Sequence, residues 1–383
     1  MRILYTSTRR IQAQAAIYTE TGDPQKVIKV ISHKVPDTAD ELQRNEVLIR
    51  MLAAPVNPSD LNQIEGSYPV KARFKKLNAV DGTNTSLIAT VGGNEGVAEI
   101  LATGSSVAGL YNGDWVVPRQ AGVFGTWCTH AVVKDKTILK IPSGWREGVE
   151  AIDVACLKVN PSTAYRLLSD FVDLRPGDCI IQNGANSGVG RAVIQLAKHW
   201  GIRTINIVRD RPHLPELAQE LYNLGADVVI SDKQLIDTGD GRIKIKEQIK
   251  SLKAPICLGL NCVGGRTTVQ MTKLISQGGV LVSYGGMSRQ PVMLPTSLLI
   301  FKDISARGFW MNRWYSDCTL FNKKEDEIRN MWRNILKLTA DHHFTTQPLQ
   351  HKYWRDLSTE QSTSLVKEAV SWDAGIKQAF VFV

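Results

Sequence analysis

The stretch DCIIQNGANSGVGRAVIQLAKHWGIRTINIVRD, residues 178–210, contains two short apolar segments separated by a glycine-rich turn and a helical pattern. The segments DCIIQNG and TINIVRD are rich in β-branched side chains, as buried parallel strands are. Between them apolar residues recur at helical spacing from Val189 to Trp200, and Gly201 occupies a position where helices commonly end. This order of strand, turn, helix and strand predicts the first βαβ unit of a parallel nucleotide-binding sheet.

The same alternation continues to residue 287 through the segments PELAQELYNLG, DVVIS, ICLGLNCVGG, TTVQMTKLISQGG and VLVSYGGM. Residues 16–142 differ, because their short apolar segments are broken by Gly, Pro and Asn, which favours a β-rich barrel or sandwich. The charged stretch 323–338 predicts an amphipathic helix, and the terminal QAFVFV predicts a strand by which the chain returns to the first domain. The predicted fold class is therefore α/β, a doubly wound Rossmann sheet with a second, β-rich domain.

Composition narrows the class of protein. The 383 residues are 43% hydrophobic and 22% charged, which is typical of a globular protein with two domains and excludes disordered and fibrous chains. No apolar run of about 18 residues occurs, so the sequence predicts no membrane-spanning helix. The 6 cysteines form no C-x-x-C pair, which excludes a zinc knuckle and a disulfide framework. The net charge of +9 suits nucleic acid, acidic proteins or phosphorylated small molecules as partners.

Part of this positive charge lies at the N-terminus. The first fifteen residues, MRILYTSTRRIQAQA, contain Arg2, Arg9 and Arg10 and several hydroxyl side chains, with no acidic residue before Glu20. This composition predicts a mitochondrial transit peptide over residues 1–15 and a location in the mitochondrial matrix. A basic, frayed N-terminus is the alternative interpretation.

The glycine-rich turn GANSGVG, residues 184–190, predicts a phosphate site. It follows a strand and opens a helix, so backbone N–H groups and the helix dipole can hold a pyrophosphate. About twenty residues later the next strand ends in Arg209, Asp210 and Arg211, where nucleotide-binding folds contact the adenosine ribose. Two guanidinium groups favour the 2′-phosphate of NADPH, whereas an inward-facing Asp210 favours NAD. A solvated charge pair is the third interpretation.

Two motifs in the β-rich part indicate a superfamily. The first is NPSDLNQIEGSYP, residues 57–69, and the second is GGNEG, residues 92–96. GGNEG resembles the GHEG element of zinc alcohol dehydrogenases, in the medium-chain dehydrogenase/reductase superfamily, but Asn94 replaces the ligating histidine. The cysteine-rich lobe of those enzymes is also missing, so the resemblance implies the zinc-independent branch, with no metal site and with a GroES-like fold for the β-rich domain.

Further motifs follow in order: GTW, VNPSTAY, QNGANSGVG, INIVRDRP, LNCVGG, YGGMSRQPV and LLIFKDISARGFW. Together they resemble the mitochondrial 2-enoyl thioester reductases of that branch. The resemblance implies NADPH-dependent reduction of the 2,3-double bond of trans-2-enoyl thioesters, carried on acyl carrier protein or CoA, in mitochondrial fatty acid synthesis. It also implies a homodimer, a GroES-like catalytic domain over residues 16–158 and 324–383, and a Rossmann NADPH-binding domain over residues 159–323.

The resemblance assigns catalysis to Tyr68, in the GSY element. Hydride addition to C3 leaves an enolate with charge on C2 and the thioester oxygen, and a phenol with a pKa of about 10 can protonate it or hydrogen-bond to it. Packing of a loop tyrosine is the alternative. The cofactor site implied by the resemblance consists of Asn160, Asn186, Ser187, Gly188, Val189, Arg209, Asp210, Arg211, Tyr284, Gly285, Gly286, Met287, Phe309, Trp310, Met311 and Lys377.

Two other functions remain open on the sequence. A quinone reductase of the same branch would have no need of Tyr68. A non-enzymatic Rossmann protein that binds RNA or a nuclear partner through its basic charge is the second alternative, but no RNP-type aromatic motif supports it, and we expect no nucleic-acid partner. Four basic residues just beyond Tyr68, within residues 71–76, are either a solvated loop or a docking site for a phosphorylated or acidic carrier.

Overall fold

A computed structural model describes residues 11–36, 38–78, 86–237, 240–320, 325–371 and 376–382. The chain divides into two compact units, one of Met1–Cys156 with Pro348–Val383 and the other of Leu157–Gln347. The arginines at positions 2, 9 and 10 on which the predicted transit peptide rests lie outside the described residues. No described helix has the length and apolar character needed to cross a membrane.

The first unit is β-rich, as predicted. Its described strands are β1 (Ile11–Tyr18), β2 (Lys29–Val35), β3 (Glu46–Pro55), β4 (Lys75–Asn78), β5 (Ser86–Val91), β6 (Val97–Thr103), β7 (Trp115–Pro118), β8 (His130–Lys134), β9 (Ile138–Ile141), β16 (Leu349–Tyr353) and β17 (Lys377–Val381). Its helices are α1 (Pro24–Val27), α2 (Pro58–Ile64), α3 (Ala151–Cys156) and α13 (Thr359–Ala369). The strands form a sheet in the order β2-β1-β5-β4 and a larger sheet in the order β16-β17-β3-β6-β7-β9, with β8 paired to β3.

The indole of Trp127 is a centre of the core in this unit. It is fully buried and packs edge-on against Phe380 of β17. A Cβ atom at Gly92 or Gly93 would overlap this indole, and Gly93 has a φ of +85°. The first two residues of GGNEG are therefore glycines because the backbone runs directly against Trp127, and this close approach fixes the position of Asn94.

The second unit is a doubly wound parallel sheet, which confirms the predicted fold class. Its strands are β10 (Cys179–Asn183), β11 (Arg203–Val208), β12 (Val228–Ser231), β13 (Ile256–Asn261), β14 (Val280–Ser283) and β15 (Ser305–Gly308). Its helices are α4 (Asn160–Ser169), α5 (Gly188–His199), α6 (Leu214–Leu224), α7 (Asp232–Ile236), α8 (Asp240–Ser251), α9 (Gly265–Thr272), α10 (Thr296–Phe301), α11 (Met311–Leu320) and α12 (Glu325–Ala340). The strand order is β12-β11-β10-β13-β14-β15. From β10 the chain adds strands on one side of the sheet, and from β13 it adds them on the other. Sheets of this kind bind nucleotides where the side changes.

The units differ from the predicted segments at two places. Pairing of β17 with β3 confirms the return of the chain, but the return begins at Pro348 rather than at residue 324. The physical reason is that α12 packs within the second unit, where Trp332 donates to Ser162 Oγ and Tyr315 OH. At the other end, residues 11–15, the last part of the predicted transit peptide, lie in β1 and pair with β2.

Candidate active site

The turn after β10 has the geometry of a phosphate site. Gly184 leaves the strand with a φ of +62°, and a Cβ on Gly190 would lie 2.5 Å from the Ala185 carbonyl oxygen. Ser187 caps the start of α5, where its hydroxyl accepts the Gly190 N–H at 3.1 Å. The N–H groups of Gly188 and Val189 have no partner within the helix, because the first turn of a helix leaves its donors unpaired. They are suited to hold an anion.

Buried carboxamides fix the sheet edge on which this turn rests. Asn183, the last residue of β10, donates to Asn261 Oδ1 at 2.8 Å, and its own Oδ1 accepts the Cys262 N–H at 2.8 Å. Asn261, the last residue of β13, donates in turn to Ser283 Oγ of β14 at 2.9 Å. Three strand ends are thus joined by side-chain hydrogen bonds from buried residues, and hydrogen bonds in a buried setting are strong.

Two amide side chains lie over the start of α5. Asn160, the first residue of α4, donates to Gln347 Oε1 at 3.1 Å, and a Cβ on Gly188 would overlap both side chains. The backbone at Gly188 therefore lies directly against these two amide side chains. Gln347 is absent from the predicted site, because an isolated glutamine far along the chain carries no motif. Its Nε2 is buried without a hydrogen-bond partner.

The charged end of β11 faces solvent. Arg209 and Arg211 are both exposed, and the Arg211 guanidinium donates to the Arg209 carbonyl at 3.3 Å. The Asp210 carboxylate lies 4.0 Å from Lys233 Nζ, and its backbone N–H donates to Asp232. Asp210 is therefore partly neutralised by a lysine, which reduces its repulsion of a ribose phosphate and leaves two guanidinium groups to attract one.

The remaining predicted cofactor residues of this unit follow β14 and β15. Residues 284–287 form a turn held by Tyr284 N–H to Asn261 O and by Met287 N–H to Cys262 O, both at 2.9 Å. Burial raises the pKa of Tyr284 well above its usual value, so its hydroxyl stays protonated. After β15, Phe309 donates to Ser283 O at 3.0 Å, Trp310 is half-buried, and residue 311 begins α11. The structure places these groups at the carboxyl edge of the parallel sheet.

The first unit holds the other two predicted residues. Tyr68 is half-buried in the loop after α2, and its N–H donates to Asn62 O at 3.1 Å. Lys377, the first residue of β17, donates from Nζ to Asn57 Oδ1 at 2.7 Å, and Asn57 donates to Glu95 Oε2 at 2.8 Å. Helix α2 therefore starts directly after Asn57, which contacts Lys377, and ends at the loop that carries Tyr68.

Asn94 lies in a buried polar network rather than among metal ligands. Its amide donates to Asp60 Oδ1, and burial raises the pKa of Asp60 to about 6. Among the described residues, no group of three or more His, Cys, Asp or Glu side chains is placed to share a metal ion.

Comparison with known proteins first defines the class. Residues 43–143 match the alcohol dehydrogenase GroES-like domain and residues 188–335 match the zinc-binding dehydrogenase domain. With the Rossmann sheet and the glycine-rich turn, these matches identify a medium-chain dehydrogenase/reductase.

A closer relationship follows from whole-chain similarity. The chain is 41% identical to the mitochondrial enoyl-[acyl-carrier-protein] reductase of Xenopus tropicalis over 358 residues, which cover 94% of this chain and 93% of that protein. The chain therefore belongs to the mitochondrial enoyl-[acyl-carrier-protein] reductase family, as the sequence resemblance predicted.

Two solved structures are similar over nearly the whole chain. The Etr1p/NADP/crotonyl-CoA complex is 35% identical with a TM-score of 0.86, covering 97% of this chain and 100% of that one. The Etr1p/Etr2p heterodimer of a mitochondrial 2-enoyl thioester reductase from Candida tropicalis is 36% identical with a TM-score of 0.86 and the same coverage.

The exposed arginines after β11 give a test of cofactor choice. Replacing both, Arg209→Ala with Arg211→Ala, is expected to weaken NADPH binding tenfold or more and NADH binding much less, because each charged hydrogen bond contributes about 1.5–3 kcal/mol. Titration of each cofactor by fluorescence or calorimetry measures the two dissociation constants. Arg203→Ala, at the amino end of the same strand, is the matched control and should change neither. Equal weakening of both cofactors would contradict the 2′-phosphate assignment.

Proposed function

We propose that this chain reduces the 2,3-double bond of trans-2-enoyl thioesters with NADPH, in the mitochondrial matrix, as a step of fatty acid synthesis. The observation that carries the proposal is the glycine-rich phosphate turn of the second unit, in a chain that is 41% identical to a mitochondrial enoyl reductase. The similar Etr1p structure, which holds NADP and crotonyl-CoA, supports both the cofactor and the substrate class. Acyl carrier protein and CoA are the proposed thioester carriers.

The residues present fit NADPH. The N–H groups of Gly188 and Val189 would hold the pyrophosphate, and Arg209 with Arg211 would hold the 2′-phosphate. The remaining cofactor contacts that the sequence predicts in the second unit, in residues 284–287 and 309–311 and at Asn160, would flank the rest of the dinucleotide. When bound, NADPH supplies the hydride that adds to C3 of the enoyl group.

Tyr68 would act on the negative charge that this addition creates. The electron pair of the double bond moves toward C2 and the thioester oxygen, and C2 then takes a proton. A phenol is protonated at neutral pH, so Tyr68 can donate a hydrogen bond to the oxygen or pass its proton to C2. Both roles require the hydroxyl and not only the ring.

The alternative functions are less well supported. The chain's relatives at 35% identity or more are enoyl thioester reductases, which favours neither a quinone reductase nor an RNA-binding protein. NADPH oxidation with 2-enoyl-CoA substrates of graded chain length, compared with a quinone, tests the proposal directly. Turnover of the quinone alone would overturn it, and so would salt-dependent RNA binding without NADPH oxidation.

Removal of the Tyr68 hydroxyl tests its role. Tyr68→Phe keeps the ring, so we expect kcat to fall about 10²–10⁴-fold, the usual effect of losing a positioned acid, while NADPH binding is unchanged. Steady-state kinetics with a 2-enoyl-CoA measures the loss. Tyr111→Phe removes a hydroxyl from an exposed tyrosine of the same unit and should leave kcat unchanged. Normal turnover of the first variant would make Tyr68 a packing residue.

The basic run beyond Tyr68 is a proposed docking site for acyl carrier protein or for the phosphates of CoA. Lys71, Arg73, Lys75 and Lys76 are all exposed, and Lys71 Nζ donates to Gly66 O at 3.0 Å in the loop that carries Tyr68. Their place near Tyr68 supports the proposal, because a substrate that reaches this tyrosine must leave its phosphorylated arm close by. Exposed charges of this kind increase the rate of encounter more than the final affinity.

Neutralising this run gives a salt-dependent result. Substitution of all four residues by Gln is expected to lower kcat/KM for carrier-linked substrates at low salt and to spare kcat, because the Debye length is about 8 Å at physiological salt. Kinetics over a series of salt concentrations measures the effect. A matched control replaces four exposed lysines of the other unit by Gln: Lys246, Lys250, Lys253 and Lys273. Identical salt dependence in the parent and the first variant would make the run a solvated loop.

A homodimer is also proposed, through the edge of the parallel sheet. In the described part of the chain β15 pairs only with β14, and all four of its residues are exposed. Exposed apolar side chains lie nearby in sequence on α10 and before it: Val292, Met293, Leu299, Ile300 and Phe301. An exposed edge strand next to an apolar surface favours association with a second copy. The related Etr1p/Etr2p structure is itself a two-chain assembly.

The molar mass in solution tests the dimer. Phe301→Glu places a charge on the most exposed of these side chains and is expected to shift the protein from dimer to monomer in sedimentation velocity. Ile88→Glu changes a similarly exposed residue of the other unit and should leave the dimer intact. A parent protein that sediments as a monomer would contradict the proposal.

A further inference from the structure

The carboxamide of Asn94 is fully engaged. Its Nδ2 donates to Asp60 Oδ1 and to Gln63 Oε1, both at 2.8 Å, and its Oδ1 accepts the Gly122 N–H at 2.7 Å. Both amide hydrogens and the carbonyl are thus used, so the orientation of the group is determined. Asn94, Asp60 and Gln63 are all buried, where an unmade hydrogen bond is costly.

The contact with Asn94 determines which way Gln63 points. Since Gln63 Oε1 accepts from Asn94, its Nε2 faces the other way and donates to the Val70 carbonyl at 3.0 Å. A residue at position 94 that only accepted hydrogen bonds would reverse this preference and turn Gln63 Oε1 toward the Val70 carbonyl, oxygen against oxygen. The side chain at position 94 therefore affects the loop that contains Val70 through one intervening side chain, that of Gln63.

That loop carries Tyr68. Upstream, the Ser67 and Tyr68 N–H groups both donate to Asn62 O, at 2.9 and 3.1 Å. Downstream, the Val70 carbonyl is held by Gln63. Both anchors arise from neighbouring residues of α2, so the tyrosine lies in a short segment tied to the same helix on either side.

We propose that Asn94 and Gln63 are positioning residues for Tyr68, and that Asn94 fixes the amide orientation with which Gln63 holds the Tyr68 loop. The inference rests on the proposed role of Tyr68 in catalysis. A histidine at position 94 would have a single donor at neutral pH, too few for both Asp60 and Gln63. An aspartate there would place a second carboxylate against Asp60. Asparagine alone among these three satisfies all three contacts.

Exchange of one amide for a carboxyl tests this arrangement. In Gln63→Glu the carboxyl still accepts from Asn94, but when ionised it cannot donate to the Val70 carbonyl. When protonated it can donate, so the anchor returns as the pH falls. Asp60, with a pKa of about 6, titrates in parent and variant alike, so kcat is compared between them at each pH. We expect the variant to fall about tenfold to a hundredfold below the parent at high pH, as small misplacements do, and the ratio to approach one on acidification. Affinity for NADPH should not change.

Two companion variants separate this effect from general damage to the fold. Gln14→Glu makes the same exchange in the same unit, where Gln14 Oε1 accepts from Trp354 at 2.7 Å and Nε2 donates to Leu357 O at 2.8 Å. It should keep the pH profile of the parent. Gln63→Met preserves the volume and loses both hydrogen bonds, so its kcat should be low at every pH without recovery.

The outcomes distinguish the proposed function from the positioning role inferred for Asn94 and Gln63. Loss and acid recovery in Gln63→Glu, with a slow Tyr68→Phe, supports the inference. A parent-like profile in Gln63→Glu with a slow Tyr68→Phe overturns the inference and leaves the proposed function intact. If Gln63→Glu does not fold, a parent-like kcat in Gln63→Met overturns it in the same way. Full activity in Tyr68→Phe overturns both the role of the tyrosine and the inference.

Discussion

Leaving either end of a buried side-chain amide without a hydrogen bond is costly, and this constraint orders loops in both units. In the second unit Asn183 and Asn261 tie three strand ends together beneath the phosphate turn. In the first unit Asn94 and Gln63 connect a glycine-bearing loop, a helix and the loop that carries Tyr68. An amide is neutral, so burying it avoids the large desolvation cost of a charge, yet its two ends specify direction. The loops are thereby held in place by neutral hydrogen-bonding groups.

The parallel sheet was predictable from sequence because its determinants are local. Each strand is a short β-branched segment, each helix has one apolar face, and the turn before α5 requires glycine for its positive φ and close approach. These features depend on neighbours within a few residues. The resemblance to the enoyl thioester reductases extended the prediction to the family and to residues such as Asn160, which does lie against the start of α5.

The features that sequence reasoning missed depend on distant contacts. An amphipathic pattern shows that α12 buries one face, but not that Trp332 reaches Ser162, so the domain boundary was placed too early. Likewise the sequence of β1 does not by itself indicate a strand, and its pairing with β2 is what places residues 11–15 in a sheet. Gln347 and Gln63 are single glutamines without a motif. Their positions become informative only when the groups that face their two amide ends are known.

Helix α2 gives the first unit a common frame for its two predicted functional residues. At its start, the Asn57 N–H donates to Asp60 Oδ2 at 2.8 Å, and the Asn57 side chain lies between Lys377 and Glu95. At its end, the chain turns into the Tyr68 loop. Burial raises the pKa of Asp60, and the hydrogen bonds from Asn57 and Asn94, followed by the Lys377 ammonium, partly offset this rise. A carboxyl with a pKa of about 6 is largely ionised at neutral pH, and its two oxygens accept from Asn57 and Asn94. The Asp60 carboxylate thus holds Asn57 at the start of the helix and Asn94, which orients Gln63. Lys377 donates to Asn57, and Gln63 holds the Tyr68 loop, so both predicted functional residues are connected to this one buried carboxylate.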